Sequence, residues 1–123
     1  MRALVIDDSR TIRAIISRTL TELGIEVVQA GNGREGLERM RDEPEVALVL
    51  VDWNMPEMNG LEFIQAIRAQ RIYDDVRIMM VTTETEQEQV IRALEAGANE
   101  YMMKPFTRDI LVAKLSLMDL LAE

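Results

Sequence analysis

The stretch VALVLVDWNMPEMNG, residues 46–60, decides how the rest of the sequence is interpreted. Its first six residues are all apolar, which is typical of a strand covered on both faces in a parallel sheet. The apolar run ends at Asp52, and the chain then turns at Pro56 and Gly60. Because a carboxylate is costly to bury without a partner, we expect charged partners to gather where this strand ends.

Apolar runs of strand length alternate with segments of helical period along the whole chain. The predicted strands are residues 3–6, 25–30, 46–51, 77–81 and 100–103. A helix is predicted after each strand, and the expected starts are marked by Ser9, by Asn32 with Glu35, by Gly60, by Thr85 with Glu88, and by Thr107. Five βα units in tandem predict an α/β fold, with a parallel sheet and helices on both of its faces.

Composition excludes several classes of function. The length of 123 residues indicates one domain, and the net charge of −8 argues against nucleic acid or an anionic membrane as a direct partner. The chain has no Cys and no His, so thiolate chemistry, zinc–thiolate sites and histidine catalysis are absent. No signal peptide is visible and no apolar run approaches ~20 residues, so we expect a cytoplasmic protein without membrane insertion.

Polar side chains follow the strands at the edge where such sheets place their sites. The residues concerned are Asp7 and Asp8 after the first strand, Asp52 after the third, Thr82 and Thr83 after the fourth, and Lys104 after the fifth. Each of them alone has an ordinary explanation as a cap or turn residue. Their coincidence at one edge favours a functional site.

Three clustered carboxylates repel one another unless a cation joins them. Oxygen ligands without His or Cys select hard cations, Mg²⁺ first, and Mg²⁺ commonly shares its ligands with a substrate phosphate. A carboxylate can itself attack a phosphoryl group, and Asp52 on the central strand is the best-placed candidate. No glycine-rich phosphate loop is present, so a nucleotide substrate is not expected.

Four segments, VIDDSRTIR, VDWNMPEMNGLEFIQAIR, MMVTTE and AGANEYMMKPF, occur together in a fixed order and spacing. In these segments the chain resembles the receiver domains of two-component response regulators, and within that family the single-domain chemotaxis regulators. The resemblance covers residues 1–123. It implies a doubly wound, flavodoxin-like (βα)5 sandwich with five parallel strands in the order 2-1-3-4-5.

The resemblance also implies roles for the acidic residues. Asp52 would be the phosphoacceptor. Mg²⁺, with Mn²⁺ as a substitute, would be held by Asp8, Asp52 and the main-chain carbonyl of Asn54, while Asp7 would hold a metal-bound water. Lys104 would pair with Asp52 at rest and with a phosphoryl oxygen afterwards.

Further residues would connect the site to an output surface. By resemblance, Thr82 would donate to the phosphoryl group while Tyr101 swings inward, and the bond between Lys104 and Pro105 would be cis. Asn54 and Glu84 would tune hydrolysis of the phosphoryl group. Trp53 would flank the site.

The function implied is that of a switch, not an enzyme, since the domain would catalyse only its own phosphorylation and dephosphorylation. A sensor histidine kinase would donate the phosphoryl group, and a downstream protein would bind the surface of the fourth helix, fifth strand and fifth helix. The domain would be a monomer or a phosphorylation-dependent dimer. The alternatives are a phosphorylation-independent interaction module, an aspartyl-phosphate phosphatase of the haloacid-dehalogenase type, and a flavodoxin-like cofactor binder.

The fifth helix carries two apolar stripes. Leu111, Leu115 and Met118 are predicted to pack on the sheet. The second stripe comprises Ile110, Ala113, Leu117, Leu120 and Leu121. We interpret this second stripe as a candidate partner face, with scattered surface apolar residues on a frayed helix as the alternative.

Overall fold

The computed structural model describes residues 1–83 and 87–120. Its parallel sheet consists of β1 (Arg2–Ile6), β2 (Glu26–Ala30), β3 (Val46–Asp52), β4 (Arg77–Thr82) and β5 (Glu100–Met103), in the order β2-β1-β3-β4-β5. The predicted strand order is confirmed, and β3 lies at the centre. Glu84, Thr85 and Leu121 fall outside the described residues.

Five α-helices connect or follow the strands. They are α1 (Arg10–Glu22), α2 (Gly33–Asp42), α3 (Gly60–Arg68), α4 (Gln87–Ala96) and α5 (Arg108–Leu117), with a short 3₁₀ helix at Arg71–Tyr73 between α3 and β4. The predicted strands agree with the structure to within one residue at each end. This agreement reflects local signals, since each apolar run is bounded by polar or turn-forming residues.

The helix starts follow local capping chemistry. The hydroxyls of Ser9 and Thr107 and the side-chain oxygen of Asn32 each accept a hydrogen bond from a backbone N–H in the first turn, as predicted. The expected capping box of α2 forms only half, because Glu35 accepts from the N–H of Gly31. A complete box instead begins α3, where Asn59 and Glu62 bond reciprocally.

Three helices end in the same way. The chain turns back after α1 at Gly24, after α4 at Gly97 and after α5 at Asp119, each with a positive φ, and the next N–H bonds to a carbonyl five residues earlier. After α5 this turn brings Leu120 back against the protein's own core. The prediction that Leu120 belongs to an exposed stripe is therefore wrong.

The sheet separates two apolar cores, and β3 contributes to both. Val49 and Val51 pack on the side that includes residues from α2, α3 and α4. Leu48 and Leu50 pack on the side of α1 and α5, where Leu111 and Leu115 are fully buried, as predicted. At roughly 2 kcal/mol for each fully buried aliphatic side chain, this double cover fixes β3 firmly. No helix in the described part of the chain is long and apolar enough to cross a membrane.

Candidate phosphoacceptor site

Three carboxylates meet at the carboxyl edge of the sheet. β1 and β3 are neighbours with Ile6 opposite Val51, so the residues that follow, Asp7 and Asp52, lie side by side. One carboxylate oxygen from each of Asp7, Asp8 and Asp52 lies within 4.8 Å of the others. Asp7 and Asp52 are only 2% and 7% exposed, whereas Asp8 is at the surface. The site is thus buried on one side and open to solvent on the other.

Lys104 connects β5 to this cluster. Its Nζ lies 2.7 Å from Asp7 Oδ2 and 3.2 Å from Asp52 Oδ1. Its backbone N–H donates to the carbonyl of Thr82 at 2.8 Å, which ties the ends of β4 and β5 together. The expected contact with Asp52 is present, but the shorter contact is to Asp7, which the sequence did not indicate. The bond between Lys104 and Pro105 is cis, as expected.

The electrostatic balance of the site favours uptake of positive charge. Burial raises the pKa of Asp52, Lys104 opposes that shift, and the negative charges of Asp7 and Asp8 add to it. Burial alone would lower the pKa of Lys104, but its hydrogen bond to Asp7 and the charge of Asp52 outweigh burial and raise it. One ammonium therefore faces three carboxyl groups, and a further cation would relieve their repulsion.

Asp7 is held on every side by the protein. Its Oδ1 accepts from the N–H of Ser9 at 2.8 Å, and its Oδ2 accepts from Lys104. Its backbone N–H donates to the carbonyl of Ala30, and its own carbonyl accepts from Arg13 Nη1 at 2.5 Å. This arrangement fixes the start of the loop between β1 and α1, from which Asp8 projects at the rim.

The donor set fits a hard divalent cation. It consists of carboxylate oxygens, with the exposed Asn54 two residues after Asp52 in the loop between β3 and α3. Such oxygen ligands suit Mg²⁺ or Mn²⁺ and do not suit a thiophilic metal.

The backbone below Asp52 is packed tightly. Trp53 N–H donates to the carbonyl of Val81 at 3.3 Å, and the N–H of Gly60 donates to the carbonyl of Trp53 at 3.0 Å. A Cβ at Gly60 would collide with the carbonyl oxygen of Asp52, so only glycine allows α3 to begin so close to this strand. Trp53 itself is 9% exposed and packs in the core on the side of α3 and α4. Its ring is therefore largely shielded from solvent, and its role as a flank of the site stays a prediction.

The two residues expected to relay a change lie on β4 and β5. Thr82 ends β4 and is 3% exposed. Tyr101 is half-buried on β5 and packs against the core on the side of α3 and α4.

Two side chains that the sequence did not single out contact Tyr101. Lys114 of α5 places its Nζ 4.4 Å from the centre of the Tyr101 ring and 3.0 Å from Glu100 Oε1. The sequence offered one indication of Lys114: Lys104 and Lys114 are the only lysines among 14 basic residues.

The fold agrees with comparisons to known proteins. A family model described as "Response regulator receiver domain" matches residues 3–116. The chain belongs to this family. The receiver domain is 48% identical over 116 residues to a chemotaxis protein CheY homolog of Campylobacter jejuni, covering 94% of this chain and 89% of that protein. It is 44% identical over 118 residues to chemotaxis protein CheY1 of Helicobacter pylori, covering 95% of each.

The fold of the receiver domain is also similar to that of a solved chemotaxis protein. The chemotaxis protein CheY4 of Vibrio cholerae superimposes with a TM-score of 0.87 at 37% identity, covering 94% of this chain and 95% of that one. The likeness therefore extends through nearly the full length of both proteins, and it includes the flavodoxin-like strand order.

The candidate partner face of the receiver domain is smaller than the sequence suggested. Ile110 and Leu117 are 44% and 70% exposed, and Ala113 between them is also exposed. Leu120 packs against the core and does not belong to this face, while Leu121 lies outside the described residues. The candidate partner face on α5 therefore consists of Ile110, Ala113 and Leu117.

Proposed function

We propose that this receiver domain is a phosphorylation-dependent signalling switch in which Asp52 accepts a phosphoryl group from a phosphohistidine of a partner kinase. The observation that supports this proposal most strongly is the position of Asp52 at the end of the central strand. There its carboxylate lies within reach of Lys104 and beside two further acidic residues. A structural carboxylate would need only one partner, whereas this one faces excess negative charge at an open edge.

In the proposed reaction a carboxylate oxygen of Asp52 attacks phosphorus in line with the bond to the donor. The new O–P bond forms as the P–N bond breaks. The electron pair of the P–N bond stays on the imidazole nitrogen of the donor. The imidazole leaves in its neutral form, because its second nitrogen already carries a proton. Lys104, 3.2 Å from Asp52 Oδ1 at rest, would follow the phosphoryl oxygens, and the Thr82 hydroxyl would donate to them.

Asp8 and Asp52, with the main-chain carbonyl of Asn54, would hold the metal ion, and Asp7 would hold one of its waters. When bound, Mg²⁺ or Mn²⁺ neutralises charge on the transferring group. The protein's own contribution is to keep Asp7 fixed through Ser9 and Lys104 while Asp8 remains open to solvent. A metal ion held by Asp8 and Asp52 would be reached from the open side of the site, where a phosphorylated partner also has access.

The product would be a change of conformation and not a released compound. An aspartyl phosphate adds about 1.5 to 2 negative charges, which Thr82 and Lys104 would follow while Tyr101 repacks. The surface formed by α4, β5 and α5 would then bind a downstream protein, with Ile110, Ala113 and Leu117 at its α5 side. By analogy with the named chemotaxis relatives we assign the domain to a chemotaxis or related circuit. Asn54 and Glu84 would set the lifetime of the phosphoryl group.

Trp53 provides the test because it is the only Trp and follows Asp52 directly. We expect its fluorescence to change when Mg²⁺ is titrated in, and again when acetyl phosphate is added. Asp52→Asn should lose the second change, and intact mass spectrometry should show the phosphoryl group on the parent alone. Mn²⁺ should replace Mg²⁺ in both steps.

A parent protein that gains no mass from acetyl phosphate with saturating Mg²⁺, or from a phosphorylated histidine kinase, would overturn the proposal. Partner binding that is equal in the parent and Asp52→Asn would then favour a phosphorylation-independent interaction module. Sustained turnover of a generic phosphomonoester would favour a phosphatase.

A further inference from the structure

A charged pair next to Tyr101 is not used in the proposed phosphoryl transfer. Glu100 Oε1 accepts a hydrogen bond from Lys114 Nζ at 3.0 Å and another from the N–H of Tyr101 at 3.0 Å. The Lys114 ammonium lies 4.4 Å from the centre of the Tyr101 ring, within the range of a cation–π interaction. One carboxylate thus fixes both the backbone of Tyr101 and the cation above its ring.

The pair connects β5 to α5, and both elements belong to the surface proposed to bind the downstream protein. Glu100 begins β5 and Lys114 lies on α5, and their side chains are 18% and 23% exposed. Partial burial makes such an ion pair less sensitive to salt than a fully exposed one. Lysine is also a rare choice in this chain, which uses arginine at 12 of its 14 basic positions. An ammonium on a flexible stem suits a contact to a ring face and one carboxylate oxygen.

We infer that Glu100 and Lys114 are positioning residues that hold Tyr101 in the conformation of the unphosphorylated protein and so oppose phosphorylation of Asp52. The inference rests on the proposed function, and it concerns the regulation of the same site. A movement of the Tyr101 ring must separate it from the Lys114 ammonium or pull Lys114 away from Glu100. Because coupling between two sites is reciprocal, a contact that phosphorylation breaks also resists phosphorylation.

The first experiment asks whether the contact exists in solution. In protein labelled with ¹³C-lysine only two lysine spin systems appear, and we expect the ε-protons of Lys114 to be shifted upfield by the ring current of Tyr101. Tyr101→Leu should abolish that shift, and Glu100→Gln should reduce it. A Lys114 signal that is the same in the parent and in Tyr101→Leu would overturn the inference.

The second experiment asks whether the contact opposes phosphorylation. We expect Lys114→Met and Glu100→Gln to raise the rate of phosphorylation by acetyl phosphate about fivefold, because this rate scales with the population of the conformation that accepts the phosphoryl group. Lys114→Arg, which keeps a cation above the ring, should remain near the parent rate. Urea unfolding of the same variants separates this effect from a loss of stability.

A structural role alone would lower the urea midpoint of Lys114→Met and leave its phosphorylation rate unchanged, and that result would overturn the inference. A parent that takes up no phosphoryl group would instead overturn the proposed function. The upfield shift of Lys114 would still decide whether the pair holds Tyr101.

Discussion

Charged side chains at the carboxyl edge and at the amino edge of the sheet differ in how fully the protein supplies them with partners. At the carboxyl edge the Lys104 ammonium pairs with Asp7 and Asp52, and the carboxyl group of Asp8 lies in the same cluster. At the amino edge Arg68 extends from the end of α3 into a cage of acceptors. The first arrangement leaves room for a ligand, and the second leaves none.

The cage around Arg68 is made mostly of backbone. Its guanidinium donates to the carbonyls of Gly97 at 3.0 Å, Tyr73 at 2.8 Å and Val76 at 2.7 Å, and to Asn99 Oδ1 at 2.9 Å. Burial lowers the pKa of Arg68 from its ordinary value, because enclosing a charge away from water disfavours its charged form. The hydrogen bonds offset this cost, and they join α3 to the 3₁₀ helix, to the residue before β4 and to the segment between α4 and β5.

The difference separates stability from function. A charge whose donors are satisfied by acceptors of the protein itself, as those of Arg68 are, holds structure together. A charge left in excess at an open edge destabilises the resting protein and is therefore available to bind something. Substitutions of charged residues at the two edges should consequently change the free energy of unfolding by amounts that differ in sign as well as in size.

The largest effect is expected at the amino edge. Arg68→Met should lower the free energy of unfolding by about 3 kcal/mol or more, because it leaves several inward-facing acceptors without a donor. Urea denaturation measures the loss, and Arg71→Met at an exposed position is the matched control. If Arg68→Met unfolds at the same urea concentration as Arg71→Met, the cage does not stabilise the fold.

Gly60→Ala tests geometry at the carboxyl edge without changing charge. The added methyl group would collide with the carbonyl oxygen of Asp52, and we expect a loss of about 2 kcal/mol together with slower phosphorylation. Gly31→Ala is the control, because a Cβ there would meet its nearest neighbours, Arg13 and Glu35, at an ordinary 3.6 Å. Equal thermal midpoints for the two alanine variants would contradict the proposed close packing.

Asp52→Asn should stabilise the protein when EDTA keeps metal away. The raised pKa of Asp52 means that the folded state binds its proton more tightly than the unfolded state does. The parent therefore loses stability as pH rises from about 4, the ordinary carboxyl range, through the raised folded pKa. We expect the variant to gain roughly 1 kcal/mol at neutral pH and nothing below pH ~4.

Urea unfolding across this pH range checks the prediction, with exposed Asp75→Asn as the control. A variant that is less stable than the parent at neutral pH would mean that Lys104 more than offsets the burial of Asp52. Mg²⁺ should reverse the order by stabilising only the parent, because it binds the ionised carboxylates of the folded state.

The smallest effect is expected at Arg2, also at the amino edge. Its guanidinium contacts Glu26, Glu43 and Glu45 at 2.8, 2.6 and 3.1 Å, but the network is open to solvent. Arg2→Met should lower the thermal midpoint far less than Arg68→Met, and the difference from the parent should vanish in about 1 M NaCl, where charges are screened within ~3 Å. A large loss that persists in high salt would show that enclosure by backbone is not what distinguishes the two arginines.

Local patterns in the sequence predicted the strands, the strand-end polar residues and most helix caps, since each depends on residues close together in the chain. The turns at Gly24 and Gly97 were also recognisable, because glycine tolerates a positive φ. Asp119 makes the same turn without glycine, and for that reason Leu120 was assigned to the wrong face. Helical spacing stops predicting a face once the helix has ended.

Contacts between distant segments could not be predicted in this way. Arg68 reaches carbonyls whose orientation depends on the 3₁₀ helix and on the turn after α4. Lys114 and Glu100 meet only because β5 and α5 pack together, and nothing in their spacing indicates a contact with Tyr101. The sequence gives the sign and the position of each of these charged residues, but it does not indicate which distant group each one contacts.

Asp52 belongs to a strand that has hydrogen-bonded neighbours on both sides and apolar residues packed on both faces. Gly60 lies directly against the backbone carbonyl of Asp52. In mechanical terms the backbone under this side chain is a fixed support. A group attached to the carboxylate would need room on the open side of the site, and the resulting displacement would fall on the side chains around it, such as that of Lys104. A stiff point at the centre of the sheet would therefore direct the proposed movement toward the rim, where another molecule could detect it.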